Sequence, residues 1–168
     1  MKFIQDILNI FSSSPEIYTP GEMVDVNDCY ALFDIRNSKE LFKTIITLVP
    51  DDSILAIEGI YSKNIIDLLL KEEVSDNQKV YIVIAWPRQI RLKSRLNSKQ
   101  KSLILNHCDN WDFGNDIIHQ HIYKDNHFYF TSYANMKSGC VFISHLINKP
   151  KIEKLKFDGI IGNYDEYP

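Results

Sequence analysis

The chain has 168 residues, 45% of them hydrophobic and 24% charged, with a formal net charge of −3. That length suits one domain, residues 1–168, able to bury about 70% of its unfolded surface, and the composition excludes a wholly disordered chain. Three cysteines, Cys29, Cys108 and Cys140, with no CxxC pair, exclude a disulfide framework and point to a reducing, cytoplasmic setting.

Phe3, Ile7 and Phe11 recur at helical spacing, so residues 1–13 read as a helix ended by Ser12-Ser13-Ser14-Pro15. Gln5, Asp6 and Asn9 interrupt its apolar run, which argues against a signal peptide. No stretch approaches the roughly 18 apolar residues of a membrane span, so no membrane partner is expected. Residues 15–28, with Pro15, Pro20-Gly21 and four acids, read as a loop. Tyr30–Ile35 is a strand, and Ser38 then caps a helix through Val49 with Leu41, Phe42, Ile45, Ile46 and Val49 turned inward. Ser53–Ile57 is a second strand, Ser62 opens a helix to about Glu73, and Lys79–Ala85 is a third strand. Near-continuous apolar strands alternating with helices predict a β-α-β-α-β first half with its three strands parallel.

After Trp86-Pro87 the pattern changes. Ile90–Leu96 alternates, with Ile90, Leu92 and Leu96 on one face and Arg91, Lys93 and Arg95 on the other, as in a half-exposed strand. Ser98 opens a helix to about Asn110 that buries Ile104, Leu105 and Cys108. Ile117–Lys124 and His127–Tyr133 form an antiparallel hairpin about Asp125-Asn126. A two-residue turn there pairs Tyr123 with Phe128, His121 with Phe130 and His119 with Ser132. Cys140–Ile147 is a further strand, Asn148 and Pro150 start a last helix that Gly159 stops, and residues 163–168 read as a frayed tail. The expected fold is α/β leaning towards α+β: one mixed sheet with helices packed on it.

The chemistry-bearing residues form no familiar motif. His119, His121 and His127 have metal-like spacing, but the hairpin puts His127 on the opposite face, so neither a metal nor a cofactor is expected. Alternation likewise parts Cys140 from His145. Parallel strands would deliver Asp34, Glu58 and Arg88 to one sheet edge, where a small-molecule pocket or a general acid would sit. Asp34 and Glu58 are the candidates for that pocket. Without a Gly-rich phosphate loop, the chain reads as a binding protein rather than an enzyme.

The strongest signal is electrostatic. Residues 77–108 hold seven basic side chains and no acid, leaving 12 basic against 22 acidic residues elsewhere. Such asymmetry marks a binding surface. Trp86, Arg88, Arg91, Lys93 and Arg95 are its candidate contact residues, and an acidic protein surface is the expected partner. A second copy of the chain offering its acidic residues 16–28, as a homodimer, is another source of that charge. Nucleic acid or a phosphate ligand, held through the basic stretch 88–101, is the alternative, although only Trp86 is at hand for base stacking. In size, single-domain character and lack of catalytic motifs the chain resembles the small immunity proteins that bacteria encode beside toxins. The resemblance implies a protein that works by plugging a toxin's active surface.

Overall fold

A computed structural model describes residues 28–58, 80–83, 89–115 and 117–168, with side chains described for 28–57, 93–115 and 117–168. The elements in chain order are β1 (Cys29–Ile35), α1 (Ser38–Leu48), β2 (Ser53–Glu58), β3 (Val80–Val83), β4 (Gln89–Leu96) and α2 (Ser98–His107), which a 3-10 turn extends over Cys108–Asn110. They continue with β5 (His119–Lys124), β6 (His127–Ser132), β7 (Val141–Ser144), α3 (Lys149–Phe157) and β8 (Ile161–Tyr167). The helices expected over 1–13 and from Ser62, and the candidates Trp86 and Arg88, lie outside the described residues.

The strands form one eight-stranded sheet in the order β3-β4-β2-β5-β6-β7-β1-β8. Every neighbouring pair is antiparallel. This corrects the expected parallel first half. β1, β2 and β3 do run in the same sense, but they are never neighbours. β4 stands between β2 and β3, and β5, β6 and β7 stand between β2 and β1. The misleading feature of β1 is its unbroken burial: Cys29, Tyr30, Ala31 and Leu32 are all buried. A strand deep in a sheet with both faces hidden has that apolar continuity whichever way its neighbours run.

The second correction concerns the expected frayed tail. Residues 161–167 pair with β1 in register from Cys29↔Tyr167 to Ile35↔Ile161. Ile161 is fully buried, and Tyr164 packs against the core and edge-on to Tyr30 at 5.8 Å. Two apolar anchors are enough to seat a segment whose other residues are polar.

Helix ends follow local chemistry. Asn37 caps α1 by accepting the Glu40 N–H at 3.1 Å, so Ser38 is the first helical residue and not the cap. Asn97 does the same for Gln100 at 2.8 Å on α2. Beyond α3, Gly159 takes the left-handed conformation, φ 71°, that a helix stop requires.

One core unites the helices with one face of the sheet. Leu41, Phe42, Ile45 and Ile46 of α1, Ile104 of α2, and Ile152 and Leu155 of α3 join Leu55, Ile122, Phe130, Ile143 and Tyr30 in it. The register lines these strand residues into one rung: Ser94, Leu55, Ile122, Phe130, Ile143, Tyr30 and Glu166, from β4 to β8. The adjacent rung on the opposite face runs Lys93, Ala56, His121, Thr131, Phe142, Ala31 and Asp165.

Three irregularities decide which side chains reach which face. The Asp125-Asn126 turn has both residues at positive φ, 49° and 65°, as a two-residue hairpin turn of the primed type requires. A bulge then shifts the register between Ile122 and Tyr123, so Ile122 faces Phe130 and His121 faces Thr131. The expected pairings of His121 with Phe130 and of His119 with Ser132 are therefore corrected, Ser132 facing Gln120 instead, and the row Tyr123, Phe128 and Phe130 is split, with Phe130 in the core. In β1, Asp34 sits at φ 53°, and Leu32 and Ile35, three apart, both pack on the core. Finally, Ala134, Asn135 and Met136 lie consecutively at φ 49°, 60° and 56°. Each non-glycine residue held there costs roughly 1–2 kcal/mol, so this turn between β6 and β7 is strained and must be held from outside.

Candidate functional site

The basic segment contributes β4 and the start of α2. Lys93 stands opposite Ala56, and Arg95 opposite Ile54, on the face turned away from the helices; β5 adds His121 and Tyr123 to the same rungs. Lys93 Nζ lies 5.9 Å from the centroid of the Tyr123 ring, within reach of a cation–π attraction. The Arg95 side chain is 45% exposed, and its Nη1 is 3.8 Å from Asp52 Oδ1. That separation exceeds a hydrogen bond, and a pair so open to water is heavily screened.

The molecule answers part of this charge itself. The turn between α1 and β2 presents Asp51 and Asp52. Lys101 Nζ meets Asp51 Oδ1 at 2.7 Å and also donates to the Val49 carbonyl at 2.7 Å. Lys124 donates to the Asp51 carbonyl at 2.8 Å. Lys101, hydrogen-bonded to it, holds the Asp51 carboxyl below the ordinary aspartate range. Asp52 is fixed by its own N–H to Leu96 O at 3.0 Å. The local composition of 77–108 gave no hint of this neutralisation, because it arises from the pairing of β2 with β4.

Of the remaining candidates, Arg91 lies in β4 with Glu58 as its register partner on β2. Asp34 and Glu58 end strands of the same sense but are not brought together. Three strands stand between theirs, a separation of roughly 19 Å at the usual strand spacing. The neighbouring ends on which a shared pocket depended fall with the parallel arrangement. Asp34 instead pairs with Arg36 at 2.8 Å, donates its N–H to Ser138 Oγ at 3.0 Å, and covers Gly162.

Two clusters escaped sequence reasoning. Tyr30, His145, Lys149, Tyr164 and Glu166 meet where β8 joins β1. The Tyr30 ring is 4.4 Å from His145, Lys149 is bonded to Glu166, and His145 Nε2 lies 3.9 Å from Glu166 Oε1. Burial first, then Glu166, pushes the Tyr30 hydroxyl up, and Glu166 holds the Lys149 ammonium on. The alternation of Tyr164 and Glu166 was its only signal, and it was read as a tail. The second is a groove of about 430 Å³ whose lining includes Arg36, Ser38, Lys39, Trp111, Asp112 and Phe113. Lys39 donates to the Asp109 carbonyl at 2.6 Å, and Asp112 is held below its usual range by Asn115 and the Gly114 N–H. The groove thus presents charges of both signs that are already engaged.

The histidines of β5 have structural partners. His121 is buried, with Nδ1 3.2 Å from Thr131 Oγ1, and both His119 and His121 meet the Tyr133 ring edge-on, at 5.5 and 5.4 Å. Among the described residues, no three His, Cys, Asp or Glu side chains come together to hold a metal ion. Nor is any helix among them long and apolar enough to cross a membrane. Comparison with protein-family models, with curated proteins and with solved structures returns no match for this chain.

Proposed function

We propose that the chain is a non-catalytic, cytoplasmic protein-binding module that recognises an acidic partner through the basic and aromatic surface around Arg95, Lys93 and Tyr123. The observation that carries this reading is the state of Arg95. Its guanidinium is half exposed and, among the described residues, its ion pair is with Asp52 at 3.8 Å, so a better-placed carboxylate can capture it. Lys93 over the Tyr123 ring places a second cation and an aromatic plane beside it, and arginine and tyrosine are residue types enriched at interface hot spots. Arg91 lies two residues along the same strand. Lys101 and Lys124 are engaged with Asp51, which leaves fewer cations for a phosphate backbone and weighs against nucleic acid. The immunity proteins of bacterial toxin systems exemplify such a role.

The test is copurification from the native host with the wild type and with the charge-reversed pair Lys93→Glu and Arg95→Glu, followed by titration of the captured protein. The reversal should weaken binding at least tenfold, since a close interfacial charge pair is worth about 1.5 kcal/mol or more. Undiminished capture by the folded variant would sink the reading. Capture of a polyanion whose affinity falls steeply with salt would replace it.

A further inference from the structure

We propose that His119 is an acid-sensitive latch on the strained turn Ala134–Met136. The left-handed turn closes on itself with one bond, from the Lys137 N–H to the Ala134 carbonyl at 3.2 Å, and is pinned to the segment entering β5. Asn135 donates its N–H to the Ile118 carbonyl at 2.8 Å and its side-chain amide to the Ile117 carbonyl at 2.9 Å. Ala134, the first strained residue, donates its N–H to His119 Nδ1 at 3.3 Å.

The first two bonds end on carbonyls and do not respond to pH. The third does. A backbone N–H can only donate, so Nδ1 must offer its lone pair, and it does so only while the ring is neutral. Protonation places a hydrogen on Nδ1, facing the Ala134 N–H, and turns the attraction into a repulsion between donors. The bond is therefore present at higher pH and lost as pH falls through the ring's titration. The turn seats Met136, 2% exposed and packed in the core, so acid loosens the turn at its first residue while the two Asn135 bonds remain. Among the described residues, the charged and titratable positions in register with His119 or beside it are Glu58, its partner on β2, Arg91 in the same rung on β4, His121 along β5, and Tyr133 edge-on after β6.

Amide hydrogen exchange and histidine ring titration by NMR on the full chain test this, comparing wild type with His119→Asn. The asparagine carbonyl reaches the place of Nδ1 and accepts without titrating. After correction for intrinsic exchange, protection at Ala134 in the wild type should fall roughly tenfold as the ring protonates, the worth of one hydrogen bond. In His119→Asn it should stay flat, and His119→Ala should lack it at every pH. Unchanged Ala134 protection while the His119 ring titrates would overturn the latch. So would the same pH response in His119→Asn, or a ring that stays neutral until the whole protein unfolds.

Discussion

The rung through Phe130 and the rung through Thr131 are one residue apart in the chain and lie on opposite faces of the sheet. Both are hidden from solvent at their centres: Leu55, Ile122, Phe130 and Ile143 are 0% exposed, and Ala56, His121, Thr131 and Ala31 are 4% or less. Their chemistry differs. The first is filled by large apolar side chains that interlock with three helices. The second pairs alanines with a hydrogen-bonded His121–Thr131 couple and ends in Lys93 and Asp165. Burial alone therefore does not tell the two faces apart. The size of the side chains along a rung does, because dispersion and transfer energy grow with the area covered.

Substitution at adjacent positions breaks or sharpens this contrast. Phe130→Ala should cost about 3–5 kcal/mol in urea unfolding, while Thr131→Ala should lose only about 1 kcal/mol with its bond to His121. Equal losses would mean that the two faces are packed alike. Next in size is Gly162→Ala on the edge strand. A methyl group there would meet Asp34 Oδ2 at 2.3 Å and Asp34 Cβ at 2.7 Å, which should cost about 1–3 kcal/mol. Adding Asp34→Gly should return most of it in the unfolding midpoint.

A smaller effect has the opposite sign. Gln120 is fully buried on the helix-covered face, in one rung with Ile57, Ser132 and Val141, and neither of its amide atoms has a hydrogen-bond partner. Gln120→Leu should stabilise by about 1 kcal/mol, and a loss would show that the amide is satisfied in solution. The smallest effect is electrostatic. Because Lys101 holds the Asp51 carboxyl down, the pair's contribution is present above the ordinary aspartate range, near pH 4. It fades as pH falls through the lowered folded value. Lys101→Met should remove that acid-dependent component from the unfolding midpoint while leaving the rest of the pH profile in place.

Local pattern carried the elements well and their neighbours poorly. α1, β2, β4, α2, the Asp125-Asn126 turn and α3 were legible because apolar period, caps and turn residues are properties of a few consecutive positions. Strand order is not such a property. Nothing within Tyr30–Ile35 says that its neighbours are Val141–Ser144 and Ile161–Tyr167, and the helix following it made a parallel crossover the natural reading. The hairpin register failed at one residue, where the bulge inserts Tyr129 and sends Phe130 to the core. For the candidate surface, the alternation of Lys93 and Arg95 was visible in the sequence. The pairing of Arg95 with Asp52 and of Lys101 with Asp51 was not, because strand pairing brings the two segments together across more than forty positions.

The seating of β1 between β7 and β8 also bears on how the chain reaches its native state. A strand near position 30 finds both hydrogen-bonding neighbours more than one hundred residues downstream, so two very large loops must close before both of its edges are satisfied. Loops of that length raise the entropic barrier and slow the search. During synthesis the Cys29–Ile35 segment waits, apolar and unpaired, until residues 141–167 leave the ribosome. That delay leaves it open to non-native strand pairing.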